Sequence, residues 1–227
     1  MPDSRSAILR QIRTALGRGP LSDGAAATLD ARRPAHTRIA FDEDLVERFV
    51  ARFESRSGTV ARVSRLDAIP AAVDAYRQAH GLPPRAAVAR PLAGLPWPAG
   101  FAHHPGPAGK DEQMSVTPCL AGIAEIGSLM LASGPDSPTT LNFVPDHHLI
   151  VLPAGHIVRH FEDAWTLLRA LPGGLPRATN IISGPSRTGD VELTIQLGAH
   201  GPRSVHVLLV EDGPGSGWLN FRAPPPK

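Results

Sequence analysis

The sequence predicts an α/β fold, a sheet covered by helices with an N-terminal helical arm ahead of it. Three observations carry this. Strand-like and helix-like patterns alternate over residues 42–89. Residues 148–152 and 205–210 are almost uninterruptedly apolar, as in a sheet shielded from water on both faces. The 227 residues include 22 Gly and 24 Pro, enough to punctuate many short elements.

The elements follow in order. Pro2-Asp3-Ser4 starts a helix with Ile8, Leu9, Ile12 and Leu16 at helical spacing, and Gly17 stops it. Residues 24–31 are alanine-rich and unpatterned, so residues 1–33 read as a short helix on a tether, which either packs back on the body or docks onto a partner or a second copy. Residues 34–227 read as the α/β domain. Asp42 is expected to cap a helix through Leu45, Val46, Phe49, Val50 and Phe53, ended by Ser57-Gly58. A strand over 59–63, a helix with Ile69, Val73 and Tyr76 on one side, and a strand over 86–89 come next. Residues 91–109 are dominated by Pro and Gly and carry no assignable element. Further on, the pattern gives a strand at 148–152, a helix from about 157 to 171, and strands at 179–182 and 205–210. No internal repeat is visible.

Composition excludes several classes of function. Basic residues number 23 against 21 acidic, a net charge of +2, which makes no case for nucleic-acid binding or a polybasic membrane anchor. Cys119 is the sole cysteine. It allows no internal disulfide, iron–sulfur cluster or thiolate zinc site, and no cofactor is expected. There is no phosphate loop, no dinucleotide-binding glycine pattern, no His-Glu-x-x-His and no nucleophile elbow. No stretch has the length of a membrane span and no secretory leader is evident, so the expected location is the cytoplasm.

Three polar, glycine-bearing segments abut strands. In the run from Ser183 to Asp190, backbone N–H groups and hydroxyls can face an anion, with Arg187 adding fixed charge; an ordinary tight loop fits the same residues. Glu125 lies among glycines and apolar residues. A carboxylate there suits a nucleophile or general base, or a strand end satisfied by backbone donors, with Gly127 permitting close approach and Ser128 adding a hydroxyl. His200 sits in a Gly/Pro loop, as a pocket imidazole or a turn residue. His156 and His160 have the i, i+4 spacing of a helical metal pair without an evident third ligand, and no metal site is expected. Convergence of the three loops at one sheet edge would build one pocket for a small anion, lined by Gly127, Ser128, Ser183, Gly184, Ser186, Arg187, Thr188, Asp190 and His200, with Glu125 as the candidate acid/base.

The segments Gly122-Ile123-Ala124-Glu125-Ile126-Gly127-Ser128, Ser183-Gly184-Pro185-Ser186-Arg187-Thr188-Gly189-Asp190 and Gly198-Ala199-His200-Gly201-Pro202 resemble those of the LutC/YkgG lactate-utilisation family, the LUD domain. Ile126 and Ala199 depart from the family's usual Thr and Val. The resemblance implies a fold similar to the sugar-phosphate isomerase and CoA-transferase group. It also implies a non-redox subunit of a complex that oxidises L-lactate to pyruvate, partnered by iron–sulfur subunits and binding a small anion or organising the assembly. The alternative is a self-sufficient enzyme of that fold group, acting on an anionic metabolite with Glu125 as the reactive carboxylate.

Overall fold

The computed structural model describes residues 3–19, 22, 24–32, 37–172, 174–188, 196–197 and 200–212. Two compact units emerge, Met1–Ile39 and Ala40–Lys227. In the first, α1 (Ser4–Ala15) starts where the Asp3 carboxylate accepts a hydrogen bond from the Arg5 N–H at 3.2 Å. None of its residues is buried, and Ile8, Leu9, Ile12 and Leu16 are exposed. The stretch read as an unpatterned tether contains a second helix, α2 (Ala25–Ala31). Alanine has the highest helix propensity of any residue, and here that local preference suffices without an apolar stripe.

The second unit opens with α3 (Leu45–Glu54). Its cap is Asp44 rather than Asp42: Asp44 Oδ1 accepts from the N–H groups of Val46 at 2.9 Å and Glu47 at 3.1 Å. Then come β1 (Thr59–Arg65), α4 (Ile69–Ala79) and β2 (Arg85–Val88). The Pro- and Gly-rich stretch, read as irregular, holds a one-turn α5 (Arg90–Ala93) and an edge strand β3 (Ala102–Pro105). The strands β4 (Met114–Pro118), β5 (Ala121–Ile123) and β6 (Ser128–Ala132) precede the short α6 (Thr140–Phe143) and β7 (His147–Pro153).

Residues 157–171 do not form one helix. Ile157 and Val158 are β8 (Ile157–Val158), paired in parallel with Gly122 and Ile123, and α7 (Phe161–Arg169) begins after them. Two β-branched residues beside an available strand edge pair with it rather than extend the helix. The remaining strands are β9 (Thr179–Ile182), the ribbon β10 (Arg187–Thr188) with β11 (Gln196–Leu197), and β12 (Ser204–Asp212).

Six strands form a sheet in the order β1-β12-β7-β4-β2-β3, parallel throughout. A second sheet, β8-β5-β6-β9, is antiparallel at its two β6 pairings. The two-residue strand period sorts side chains between the layers. Leu149, Val151, Leu208 and Val210 face a core with Ile69, Val73 and Tyr76 of α4. Ile150, Leu152, Val207 and Leu209 face the opposite way, meeting Leu129, Leu131 and Ile182 of the second sheet around Phe49 and Phe53 of α3. Met130 and Ile123 point outward to Ala164, Leu167 and Leu168 of α7. The order is therefore helix, sheet, sheet, helix, with α3 contributing to the inter-sheet core. Among the described residues, no helix is long and apolar enough to cross a membrane.

Polar groups inside this core are paired across elements. Ser115 Oγ donates to the Leu141 carbonyl at 2.6 Å, and Thr117 Oγ1 lies 2.7 Å from His148 Nε2. Burial pushes the His148 imidazole down to about 3, and burial aided by nearby His80 pushes His206 down to about 4. Burial also raises the Cys119 thiol well above its usual range. An imidazole depressed in the folded state binds fewer protons than in the unfolded chain, whose value is near 6.5. The stability it supports is complete above that value and is lost as pH falls through the folded-state values. The urea midpoint should hold above pH 7 and decline from about pH 6.5 towards 4. A midpoint unchanged across that range would contradict the assignment.

The exposed stripe of α1 yields a second expectation. Deleting residues 1–39 should leave a single cooperative unfolding transition in circular dichroism, because α1 buries no side chain. Loss of that transition would assign the helix to the fold's core.

Candidate functional site

Two of the three predicted segments meet. The Ser186 N–H donates to the Pro202 carbonyl at 2.9 Å, and the His200 N–H donates to Ser186 Oγ at 3.3 Å, so the chain after β9 is joined to the chain entering β12. Between them lies a pocket of about 200 Å³, lined by Ser183, Gly184, Ser186 and His200 with Asn142, Phe143, Ile181, Ile182, Gly201, Pro202 and Val205. It opens at the amino ends of β7 and β12, where α6 leads into the sheet. Its polar groups are hydroxyls, an exposed imidazole and a carboxamide; its walls are apolar.

The hydroxyls are arranged to donate. Ser128 Oγ and Ser183 Oγ are 2.6 Å apart, so one proton of the pair bridges them and the other is left over. Ser186 Oγ already accepts from the His200 backbone, which leaves its own proton free for a bound acceptor. Ser128 reaches the pocket only through this partner: it is buried at the start of β6.

The other predicted residues have different surroundings. Glu125 does not line the pocket. Its Oε2 accepts from the Phe161 N–H at 3.0 Å, at the first residue of α7, with His160 Nδ1 3.6 Å away. A carboxylate on a helix N-terminus satisfies an otherwise orphaned donor and the positive end of the dipole. Gly127, at φ +61°, faces α3: a Cβ there would come within 2.4 Å of Arg52 Cβ and 2.6 Å of the Phe53 nitrogen. Gly184, at φ +123°, is pressed against the Arg56 carbonyl, 2.6 Å from where a Cβ would stand. The Arg56 guanidinium donates to the Ile126 carbonyl, and the Arg187 guanidinium donates to Ser57 Oγ. The turn after α3 thus holds one loop by its Ile126 carbonyl and the other by the Arg187 side chain. Thr188 pairs with Gln196 in the β10–β11 ribbon. Asp190 lies outside the described residues, as do Gly189, Gly198 and Ala199.

His156 and His160 flank β8 and do not share a helix. Among the described residues there is no group of three His, Cys, Asp or Glu suited to hold a metal ion.

A larger cleft, of about 820 Å³, lies at the carboxyl ends of β2 and β4, walled by prolines, with Asp136 and Arg177 on its rim. Asp136 is bonded to Arg90 at 2.9 Å. Carboxyl ends are the usual ligand position in open α/β sheets. Here the cleft carries the hydroxyl residues Ser133, Ser137 and Thr139 besides Asp136 and Arg177, whereas the smaller pocket is where two of the three predicted segments meet.

The sequence model of the LUD domain family matches residues 111–210, the stretch that carries β4 to β12 and both joined loops. That stretch is similar to a LUD domain. Similar proteins include an uncharacterized protein of Neisseria meningitidis, 39% identical over 89 residues, and YkgG of Escherichia coli, 35% identical over 94. Lactate utilization protein C of Bacillus subtilis is 30% identical over 93 residues. These matches cover 39–40% of this chain and 38–41% of the relatives, so the chain spans about two-fifths of the length of the curated relatives it matches. A crystal structure of a DUF162 family protein from Deinococcus radiodurans superposes with a TM-score of 0.54 at 20% identity, covering 73% of this chain and 96% of that one. That likeness confirms the α/β fold around the LUD stretch.

Sequence reasoning did not single out Asn142, Phe143 or Val205, which complete the pocket. Asn142 follows Leu141 in an otherwise apolar turn, and that misplaced amide was the available signal.

Gly184 makes a test of the packing, with Gly155 as its control. Gly184→Ala should cost about 2–4 kcal/mol in urea unfolding, from the strained φ and the contact with the Arg56 carbonyl. Gly155→Ala, where a Cβ meets nothing within 4 Å, should stay within about 0.5 kcal/mol of the parent. Equal effects would show that the close approach is unimportant.

Proposed function

We propose that the protein is a lactate-utilisation protein that binds a small carboxylate in the Ser183–Ser186–His200 pocket and takes part in lactate oxidation without redox chemistry of its own. The observation that carries this reading is the pocket itself. Two hydroxyls with spare protons and an imidazole converge on about 200 Å³, inside the LUD stretch whose relatives are named for lactate utilisation. That volume is below the ~300–1,000 Å³ of pockets for drug-sized ligands and suits a molecule of a few heavy atoms.

The residues divide the work of binding. The Ser186 O–H, and the free proton of the Ser128–Ser183 pair, donate to carboxylate oxygens; the His200 ring supplies a third donor at the rim. Arg187, held by Ser57 beside the pocket, contributes charge at short range rather than a direct grip. Phe143, Ile182 and Val205 give an alkyl group an apolar seat.

Oxidising lactate to pyruvate removes two electrons and two protons, so an acceptor is required. The sole thiol, Cys119, is buried, and it cannot by itself ligate a cluster. In this reading the electrons pass to iron–sulfur partner subunits. A reactive role for Glu125 gains nothing from its surroundings, since its carboxylate caps α7.

Lactate-dependent dye reduction should be absent with the chain alone and present when iron–sulfur partner proteins are added. Ser186→Ala should weaken L-lactate binding to the chain by roughly fivefold in calorimetry. Turnover by the chain alone would overturn the non-redox assignment, and unchanged affinity in the variant would place the anion elsewhere.

A further inference from the structure

Asn142 lines the Ser183–Ser186–His200 pocket and is 2% exposed. Its Nδ2 donates to Asn180 Oδ1 at 3.1 Å, which fixes the plane of the carboxamide. Its Oδ1 is buried and has no hydrogen-bond partner. A buried acceptor without a partner calls for a donor, supplied by a bound group, a water or an ion. The groups around it explain what is missing. Ser186 and the serine pair have protons to donate to an anion, whereas Asn142, in the wall of the same pocket, holds a buried acceptor without a partner. A ligand that satisfies the whole pocket therefore carries a negative group accepting from the serines and, close to it, a hydroxyl donating to Asn142.

We infer that Asn142 is the specificity residue of this pocket, reading the hydroxyl of a short 2-hydroxy carboxylate through its unpartnered Oδ1. The inference rests on the anion-binding reading above and adds the part of the ligand that the serines do not recognise. It also gives a direction to discrimination. In the corresponding 2-keto acid the hydroxyl is replaced by a carbonyl oxygen, which sets acceptor against acceptor at Asn142. In the unsubstituted acid nothing replaces the hydroxyl and the amide oxygen stays orphaned. A site built to bond a hydroxyl rejects both kinds of analogue, because its own buried group is left unpaired. The pocket therefore favours the alcohol over the ketone, the substrate side of the oxidation over its product.

Calorimetric titration of the full chain with L-lactate, pyruvate and propionate tests this. The parent protein should bind L-lactate roughly tenfold more tightly than either analogue. Asn142→Leu, similar in size but without polar atoms, should bring lactate down to the propionate level and leave propionate unchanged. Equal binding of the three acids by the parent overturns the role of Asn142 while leaving the anion pocket standing. So does a lactate preference that persists in the variant. Binding of none of them overturns the pocket reading and this inference together. Should the variant fail to fold, the three affinities of the parent chain decide the matter.

Discussion

The close approach of the turn that ends α3 to two separate backbones is the constraint on which the second unit depends. Phe49 and Phe53, stacked at 5.7 Å and fully buried, place α3 in the core shared by the six-stranded and four-stranded sheets. To sit so deep, the helix must end against the 124–127 loop and the chain after β9, and only residues without a Cβ leave room. Gly127 and Gly184 supply that room, and Arg56 and Ser57 bond to what they approach. Gly127, read from sequence as permitting close approach, thus serves the joint between the layers, as Gly184 does.

The pocket follows from this joint. With Gly184 packed against the Arg56 carbonyl, Ser183 is turned towards Ser128 on one side and Ser186 towards Pro202 and His200 on the other. The serines are pre-set by backbone contacts, so under the proposed function a ligand need not order them, which is how rigid small pockets gain affinity. The pocket's position at the amino ends of β7 and β12 follows too, because that is where the joined loops arrive.

Much of the fold was legible because burial on both faces writes itself as continuous apolar runs. The segments around Leu149 to Leu152 and Val205 to Val210 are central strands of an all-parallel sheet. The strand β4 was not legible for the opposite reason. Its Ser115 and Thr117 look solvated in sequence, but they are satisfied by Leu141 and His148, residues about thirty positions away whose proximity only the fold creates. The candidate site divides the same way. Ser183, Ser186 and His200 stood out by their loop chemistry. Asn142 did not, since neither its partner Asn180 nor its vacant oxygen can be seen locally. Glu125 was legible as an anomaly and backbone donors were one of its readings; which donor, the amide of Phe161, was not.

The way the large sheet ends on each side bears on how the chain behaves at high concentration. An open strand edge offers unpaired amides to any other extended chain, and parallel sheets form slowly enough to expose such edges during folding. Here β3 is four residues long and finishes in Pro105, which has no N–H to offer. On the opposite edge, β1 carries Arg62, bonded to Glu47 and Glu211, and Arg65, bonded to Asp67. An incoming strand would meet a missing donor at one end of the sheet and a lattice of charge at the other. Both margins resist templated aggregation by features unrelated to ligand binding.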